Sequence, residues 1–271
     1  EKKNVKNMKY IVDNDLHIHS HISVCSGVAE QTPERILKYA KDNNLKTICL
    51  TDHFWDETID GADEFYEVQD YARIEKAKPL PQADGIRFLF GCETELTKDL
   101  TIALSKERMD LFDFIIIPTT HFHMKDFTLS YDDYKDAESR AKAWVKRLDY
   151  VLDQDLPFHK IGLAHLTCSL IAPGRSYCLD VINSIPDSEM ERVFRKAAEV
   201  GVGIELNGSD MNFTDDEAET ILRPYRIAKR CGCKFYCGSD AHSPAKFETV
   251  VSLFEKSVDI LGLTEDDKFH I

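Results

Sequence analysis

Short β-branched apolar runs alternate with amphipathic stretches along nearly the whole chain. The runs fall at residues 10–12, 47–50, 86–90, 114–117, 160–164, 203–206 and 234–236. Each has the length of a buried strand. Between them, apolar residues recur at i, i+3, i+4 and i+7, the period of a helix packed on one face. Residues 33–44 carry Ile36, Leu37 and Ala40 in this pattern, behind Thr32 as an N-cap and Pro33 at the first helical position. Residues 134–155 carry Ala137, Ala141, Trp144, Val145, Leu148 and Leu152. Residues 188–200 carry Met190, Val193, Phe194 and Ala197, and residues 217–231 carry Ala218, Ile221, Leu222 and Tyr225. Gly201 and Gly232 follow the last two where a helix end favours a left-handed residue. Seven β-then-α units predict a parallel sheet. No dinucleotide glycine fingerprint follows the first run, which favours a closed or nearly closed barrel over a doubly wound sheet.

In such barrels chemistry sits where strands end, so polar residues are expected there. After the seven runs come Asp15-Leu16-His17-Ile18-His19-Ser20-His21, Thr51-Asp52-His53, Gly91-Cys92-Glu93, Thr120-His121-Phe122-His123, Ala164-His165, Glu205-Leu206-Asn207 and Gly238-Ser239-Asp240-Ala241-His242. Of the ten His, only His159 and His270 lie elsewhere. A lone histidine at a strand end is ordinarily a satisfied structural residue, but so many imidazoles at one rim have no structural purpose without a metal. Alternate residues of a strand share a face, so His17 and His19 can converge, as can Asp240 and His242. Imidazoles suit zinc, iron or manganese, and a carboxylate can bridge two ions. Cys231, Cys233 and Cys237 also resemble a zinc set, but residues 233–237 alternate along a strand, which disfavours it.

Composition narrows the partners. Thirty-four Lys and Arg against 48 Asp and Glu leave a net charge of −14, whose mean field repels DNA, RNA and anionic membranes. At 43% hydrophobic residues the chain can bury a full core. The eight Cys form no CxxC pair, and no apolar leader or membrane-length run occurs. Reduced thiols in a cytoplasmic protein are the expectation. No phosphate-binding GxxxxGK[ST] loop, GxSxG elbow or HExxH helix is present. Residues 56–70 read as an exposed acidic helical insertion near the barrel mouth. The sequence assigns no oligomeric state.

The ordered motifs Asp15-x-His17-x-His19, Thr51-Asp52-His53, Gly91-x-Glu93, His121, His165 and Ser239-Asp240-Ala241-His242 resemble those of the PHP (polymerase and histidinol phosphatase) domain. Gln31-Thr32-Pro33-Glu34, leading to the second motif, is also typical of it. The resemblance runs from residue 10 to about 245. It implies an α/β fold, a distorted (β/α)7 TIM-like barrel filling residues 1–271 as one domain, with the metal site at the C-terminal ends of the strands. It also implies two or three divalent ions (Zn, Fe or Mn) and phosphoester hydrolysis. Carried over, one ion takes His17, His19, Glu93 and Asp240. A second shares Glu93 and takes His121 and His165. A third takes His53 and His242. Many family members supply that third ion with another histidine where this chain has Cys25, which is either a soft thiolate ligand or a plain thiol beside a weak or empty site. His123 is an alternative to His121.

In this reading a water bridging two ions loses its proton near neutral pH and attacks phosphorus. Asp240 and His242 border the reacting centre and are the catalytic candidates, with the general acid left open between them. Arg175, in the loop after His165, is the first candidate to clamp phosphate oxygens, Arg223 the second. Asn207 is a candidate pocket residue or a strand-end turn. Asp15 and Asp52 are expected to orient ligating imidazoles. The leading expectation is a small phosphomonoester, with histidinol phosphate as the best-known substrate of stand-alone members. The alternatives are an amidohydrolase acting on a C–N bond and a non-catalytic metal-binding module. Two or three ions would add roughly +4 to +6 at the mouth, so the acidic composition excludes a long nucleic acid but not a phosphate.

Overall fold

The computed structural model describes residues 8–271. Among them, eight short strands all pair in parallel. β1 (Asn14–Ile18), β2 (Thr47–Leu50) and β3 (Arg87–Phe90) form one sheet in that order. β4 (Cys92–Glu93), β5 (Ile115–Pro118), β6 (Ile161–Ala164), β7 (Gly203–Asn207) and β8 (Lys234–Gly238) form a second. Backbone bonds cross both seams between them. Asp240 N–H donates to the His17 carbonyl (2.7 Å) and His19 N–H to that of Ala241 (3.0 Å). Glu93 N–H donates to the Asp52 carbonyl (3.1 Å) and Phe54 N–H to that of Glu93 (2.9 Å).

The helices are α1 (Pro33–Asp42), the single turn α2 (Tyr71–Ile74), α3 (Ala137–Leu152), α4 (Arg175–Asn183), α5 (Asp187–Val200), α6 (Ala218–Cys231) and α7 (Val250–Leu261). Thr32 caps α1 by accepting from Arg35 N–H (3.2 Å). Gly201 and Gly232 close α5 and α6 in the left-handed conformation. The apolar helix faces (Ile36, Trp144, Leu148, Phe194, Ile221) join the outward residues Ile48, Ile115, Ile117 and Ile204 in one core. The alternate strand residues Leu16, Cys49, Phe114, Ile116 and Tyr236 form a separate inner cluster, sealed below by Phe269. Each large aliphatic or aromatic side chain buried in this way contributes on the order of 1.5–3 kcal/mol. Among the described residues, no helix is long and apolar enough to cross a membrane.

Four expectations change. The first strand is not at 10–12 but at Asn14–Ile18, within the polar motif itself. Its residues are all buried, and Asn14, Asp15 and His17 find partners inside the protein, so an apolar pattern misplaced it. The third run ends at Phe90 as read, but Cys92–Glu93 beyond it form a further strand, and at Gly91 the chain passes from one sheet to the other. A Cβ there would lie 2.7 Å from Cys49 Sγ and against the Phe114 carbonyl, so only glycine permits the approach. Arg175, read as part of the loop after His165, is the first residue of helix α4. Residues 56–70 are turns rather than a helix. That segment is anchored rather than wholly solvated, because Tyr66 is buried with Trp55 and Ala103 against Phe65, Met124 and Phe127.

Candidate metal centre

The sheets place eight titratable side chains at one rim. β1 carries His17 and leads directly into His19, β2 into His53, β5 into His121 and β6 into His165. β4 ends in Glu93, and Asp240 and His242 follow β8. Three groups result, each with ligand-type atoms within 4.8 Å of one another: His17, His19, Glu93 and Asp240; Glu93, His121 and His165; His19, His53 and His242. His165 and Asp240 adopt positive φ, +38° and +51°, a strained backbone region for non-glycine residues that turns both side chains into the cluster.

The outer hydrogen bonds define which ring nitrogens face inward. His17 Nδ1 lies 2.6 Å from Glu205 Oε1, His121 Nδ1 2.7 Å from Glu95 Oε2, and His165 Nδ1 2.9 Å from Thr120 Oγ1. Since the Thr120 hydroxyl itself donates to the His165 carbonyl (3.0 Å), that Nδ1 is the donor. By the same partner logic Nδ1 carries the proton in all three, leaving each Nε2 lone pair aimed inward. His17 Nε2 faces His19 Nε2 at 3.1 Å and Glu93 Oε2 at 3.4 Å. His165 Nε2 faces Glu93 Oε1 at 3.2 Å, and His121 Nε2 faces the same oxygen at 3.7 Å.

Lone pairs and carboxylates converging in a buried space repel unless a cation lies among them. Glu93, Glu95 and Glu205 are buried, and the charged partners of all three and of Asp240 are histidines. Burial lowers the His17 pKa, but Glu205, Asp240 and Glu93 outweigh it and raise it well above the usual value. Burial would raise Glu93, yet His17 and His53 hold it well below the carboxylate range. The carboxylate-bearing part of the cluster therefore favours positive charge, and its imidazole and carboxylate donors suit a divalent cation.

Other candidates sit differently. Cys25 is outside the three groups, on the wall of a cavity of about 420 Å³ that opens onto the cluster. Burial, then the Glu93 and Asp240 charges that an ion would neutralise, push its thiol up to about 12. His123 also lines the cavity but joins no group. The expected phosphate clamp is absent from the lining: Arg175 begins α4, and Glu217 holds its guanidinium in a fork at 2.8 and 2.9 Å. Arg223 is bound to the Ile182 and Ile185 carbonyls and to Asp187. Both ends of the Asn207 amide are engaged, donating to Glu205 Oε2 (3.1 Å) and accepting from Ser209 N–H (2.9 Å). Asn207 thus supports Glu205 and closes the turn after β7.

Asp15 touches no imidazole ring. It accepts from Ser239 N–H (2.9 Å) and Tyr39 Oη (3.0 Å), tying β1 to β8. Asp52 acts at one remove: Ser23 Oγ donates to its Oδ1 (2.7 Å) and lies 3.3 Å from His19 Nδ1. Two carboxylates hold ligand rings directly: Glu205, which sequence reasoning noted at a strand end without giving it a role, and Glu95, which it missed. Their signal was present, as a charge inside the apolar strand Gly203–Asn207 and as the next residue on Glu93's face.

Comparison with known proteins settles the lineage. The family model described as "PHP domain" matches residues 15–209, most of the chain. The chain belongs to the PHP domain family. The match to this PHP domain ends before Asp240 and His242, which the fold nevertheless brings beside His17 and His19. A protein of Acetivibrio thermocellus named "Probable phosphatase" is 24% identical over 92% of this chain and 88% of its own. One of the same name from Caldicellulosiruptor saccharolyticus is 22% identical over 84% of this chain and 80% of its own. A crystal structure of histidinol phosphate phosphatase from Lactococcus lactis, complexed with zinc, L-histidinol and phosphate, shares the fold with a TM-score of 0.61. It is 16% identical and covers 97% of this chain and 100% of that one.

Proposed function

We propose that this PHP-domain protein is a metal-dependent phosphatase that hydrolyses a small phosphomonoester. The observation that carries the reading is Glu93, whose two oxygens face different groups: Oε2 toward His17 and His19, Oε1 toward His121 and His165. So placed, Glu93 would be able to serve two ions at once. His17, His19, Glu93 and Asp240 would hold one divalent ion and Glu93, His121 and His165 a second. His53 and His242, with His19 beside them, would hold a third. Zinc, iron and manganese all suit this donor set.

Bound there, such ions supply Lewis-acid activation of water and neutralise phosphate charge. The protein's part is positioning. Glu205 and Glu95 keep His17 and His121 in the tautomer that presents Nε2, and Ser23 and Thr120 do so for His19 and His165. Asp240 and His242 border the cavity, and whichever of the two an ion leaves free would handle protons of the reacting water and the leaving alcohol. The phosphatase names of the relatives and the histidinol and phosphate in the Lactococcus enzyme support the reaction class. Histidinol phosphate, whose alcohol carries an ammonium beside its ring, is a comparison compound of the panel rather than the assigned substrate. The backbone bonds across both seams support reading the two sheets as one distorted (β/α)7 barrel that forms a single domain. A buried site in an acidic shell suits a small ester and no long nucleic acid.

The test pairs metal analysis with a panel of phosphomonoesters and phosphodiesters after loading with Zn, Mn or Fe. Turnover of a monoester is expected, abolished in His17→Ala and Asp240→Ala. Absence of turnover on every ester, or hydrolysis of a cyclic amide instead, would overturn the reading.

A further inference from the structure

The cavity above the metal centre has a lining whose chemistry selects the alcohol half of the substrate. Apart from cluster residues, it is walled by Cys25, Phe65, Tyr66, His123, Met124 and Leu170. Phe65 and Met124 are half-buried and pack on the Trp55–Tyr66 cluster, while Leu170 comes from the separate segment after β6. The Tyr66 hydroxyl is turned away, donating to Glu95 (2.8 Å), so its ring rather than its polar end serves the wall. Among the described residues no Lys or Arg lines the cavity, and its only carboxylates are Glu93 and Asp240 of the metal cluster. An ammonium on the substrate would find no unengaged carboxylate, whereas a flat apolar group would meet carbon from Phe65, Met124 and Leu170.

Resting on the phosphatase reading, we propose that Phe65, Met124 and Leu170 are specificity residues, and that the substrate is a phosphomonoester whose alcohol carries an uncharged aromatic or apolar group. Burying such a group against these side chains discriminates by about 10- to 100-fold.

The experiment uses the metal-loaded full chain with two alkyl esters, 2-phenylethyl phosphate and 2-aminoethyl phosphate. The kcat/KM ratio is expected to favour the phenyl ester about tenfold or more, through KM. Phe65→Ala should cut the ratio about tenfold and Phe65→Leu restore most of it. Leu170→Ala, from a different segment of the chain, gives an independent reading should Phe65→Ala fail to fold. Because turnover is not the only readout, the corresponding phosphonates are titrated by thermal shift, where 2-phenylethylphosphonate should bind more tightly than 2-aminoethylphosphonate. A ratio at or below one, or one that both alanine variants leave unchanged, overturns the specificity proposal while the phosphatase reading stands. No turnover of any ester, with neither phosphonate binding, overturns both.

Discussion

Glu205 holds His17 by a 2.6 Å contact between Oε1 and Nδ1, with both side chains fully buried. The other oxygen, Oε2, accepts from the backbone N–H of His165 at 2.7 Å. One carboxylate therefore orients a ring in the first ligand group and the backbone of a residue in the second.

Substituting Glu205→Gln keeps the shape and removes the charge that fixes the His17 tautomer. Metal affinity is expected to fall about 10- to 100-fold, read by competition with a chromophoric chelator. Glu205→Ala strands the His17 and His165 donors and should lower unfolding stability by about 1–3 kcal/mol in addition. Unchanged affinity in both variants would remove Glu205 from the metal centre.

Gly238 is what lets Glu205 reach His17. A Cβ at this position would lie 2.7 Å from the Glu205 Cδ and 2.8 Å from the His17 Cβ, with Glu205 Oε1 closer still. Gly238→Ala is expected to cost about 1–3 kcal/mol in denaturant unfolding and to reduce bound metal together with stability. A stable variant with full metal content would show that the contact relaxes without consequence.

Chelation should uncover the charge problem in the rim. With ions removed, converging lone pairs and buried carboxylates lose their counter-charge. The melting temperature is expected to fall and to recover with added Zn, Mn or Fe, as ligand linkage requires. Calorimetry on dialysed and reloaded protein checks this, and identical melting curves would contradict it.

Cys25 and His53 separate the two accounts of the third ligand group. Since Cys25 lies outside all three groups and His53 within one, Cys25→Ala is expected to keep the metal stoichiometry and His53→Ala to lower it. Elemental analysis decides, and metal loss in Cys25→Ala would reinstate the thiolate.

Arg175 is expected to act in stability rather than in phosphate binding. Arg175, ahead of the backbone bond from Thr214, lowers the Glu217 pKa to about 2. The pair's contribution is therefore present above about pH 4.5 and is lost as the pH falls through 2. For a partly exposed pair it amounts to only about 0.2–1 kcal/mol. Arg175→Ala should remove that acid-side dependence while changing kcat/KM less than about threefold, measured by pH-dependent unfolding and steady-state kinetics. A larger kinetic loss would return Arg175 to the substrate.

The sequence by itself determined the alternation of strands and helices and the rim that collects the histidines, because both follow from local periodicity. Thr32, Pro33, Gly201 and Gly232 marked helix ends for the same reason, since capping needs only neighbours in the chain. Motif order also identified the residues that the fold gathers into three groups. Tertiary structure decided what surrounds them. Strand β1 was hidden because its polar side chains are satisfied by residues more than 200 positions away, such as Cys237 and Ser239. Glu205 and Glu95 displaced Asp15 and Asp52 as direct ring partners because the approach depends on sheet register and on the missing Cβ of Gly238. Arg175 left the pocket because Glu217, 42 residues on, captured its guanidinium. A residue's type limits the chemistry it can perform, but its partner is set by which strands and helices meet.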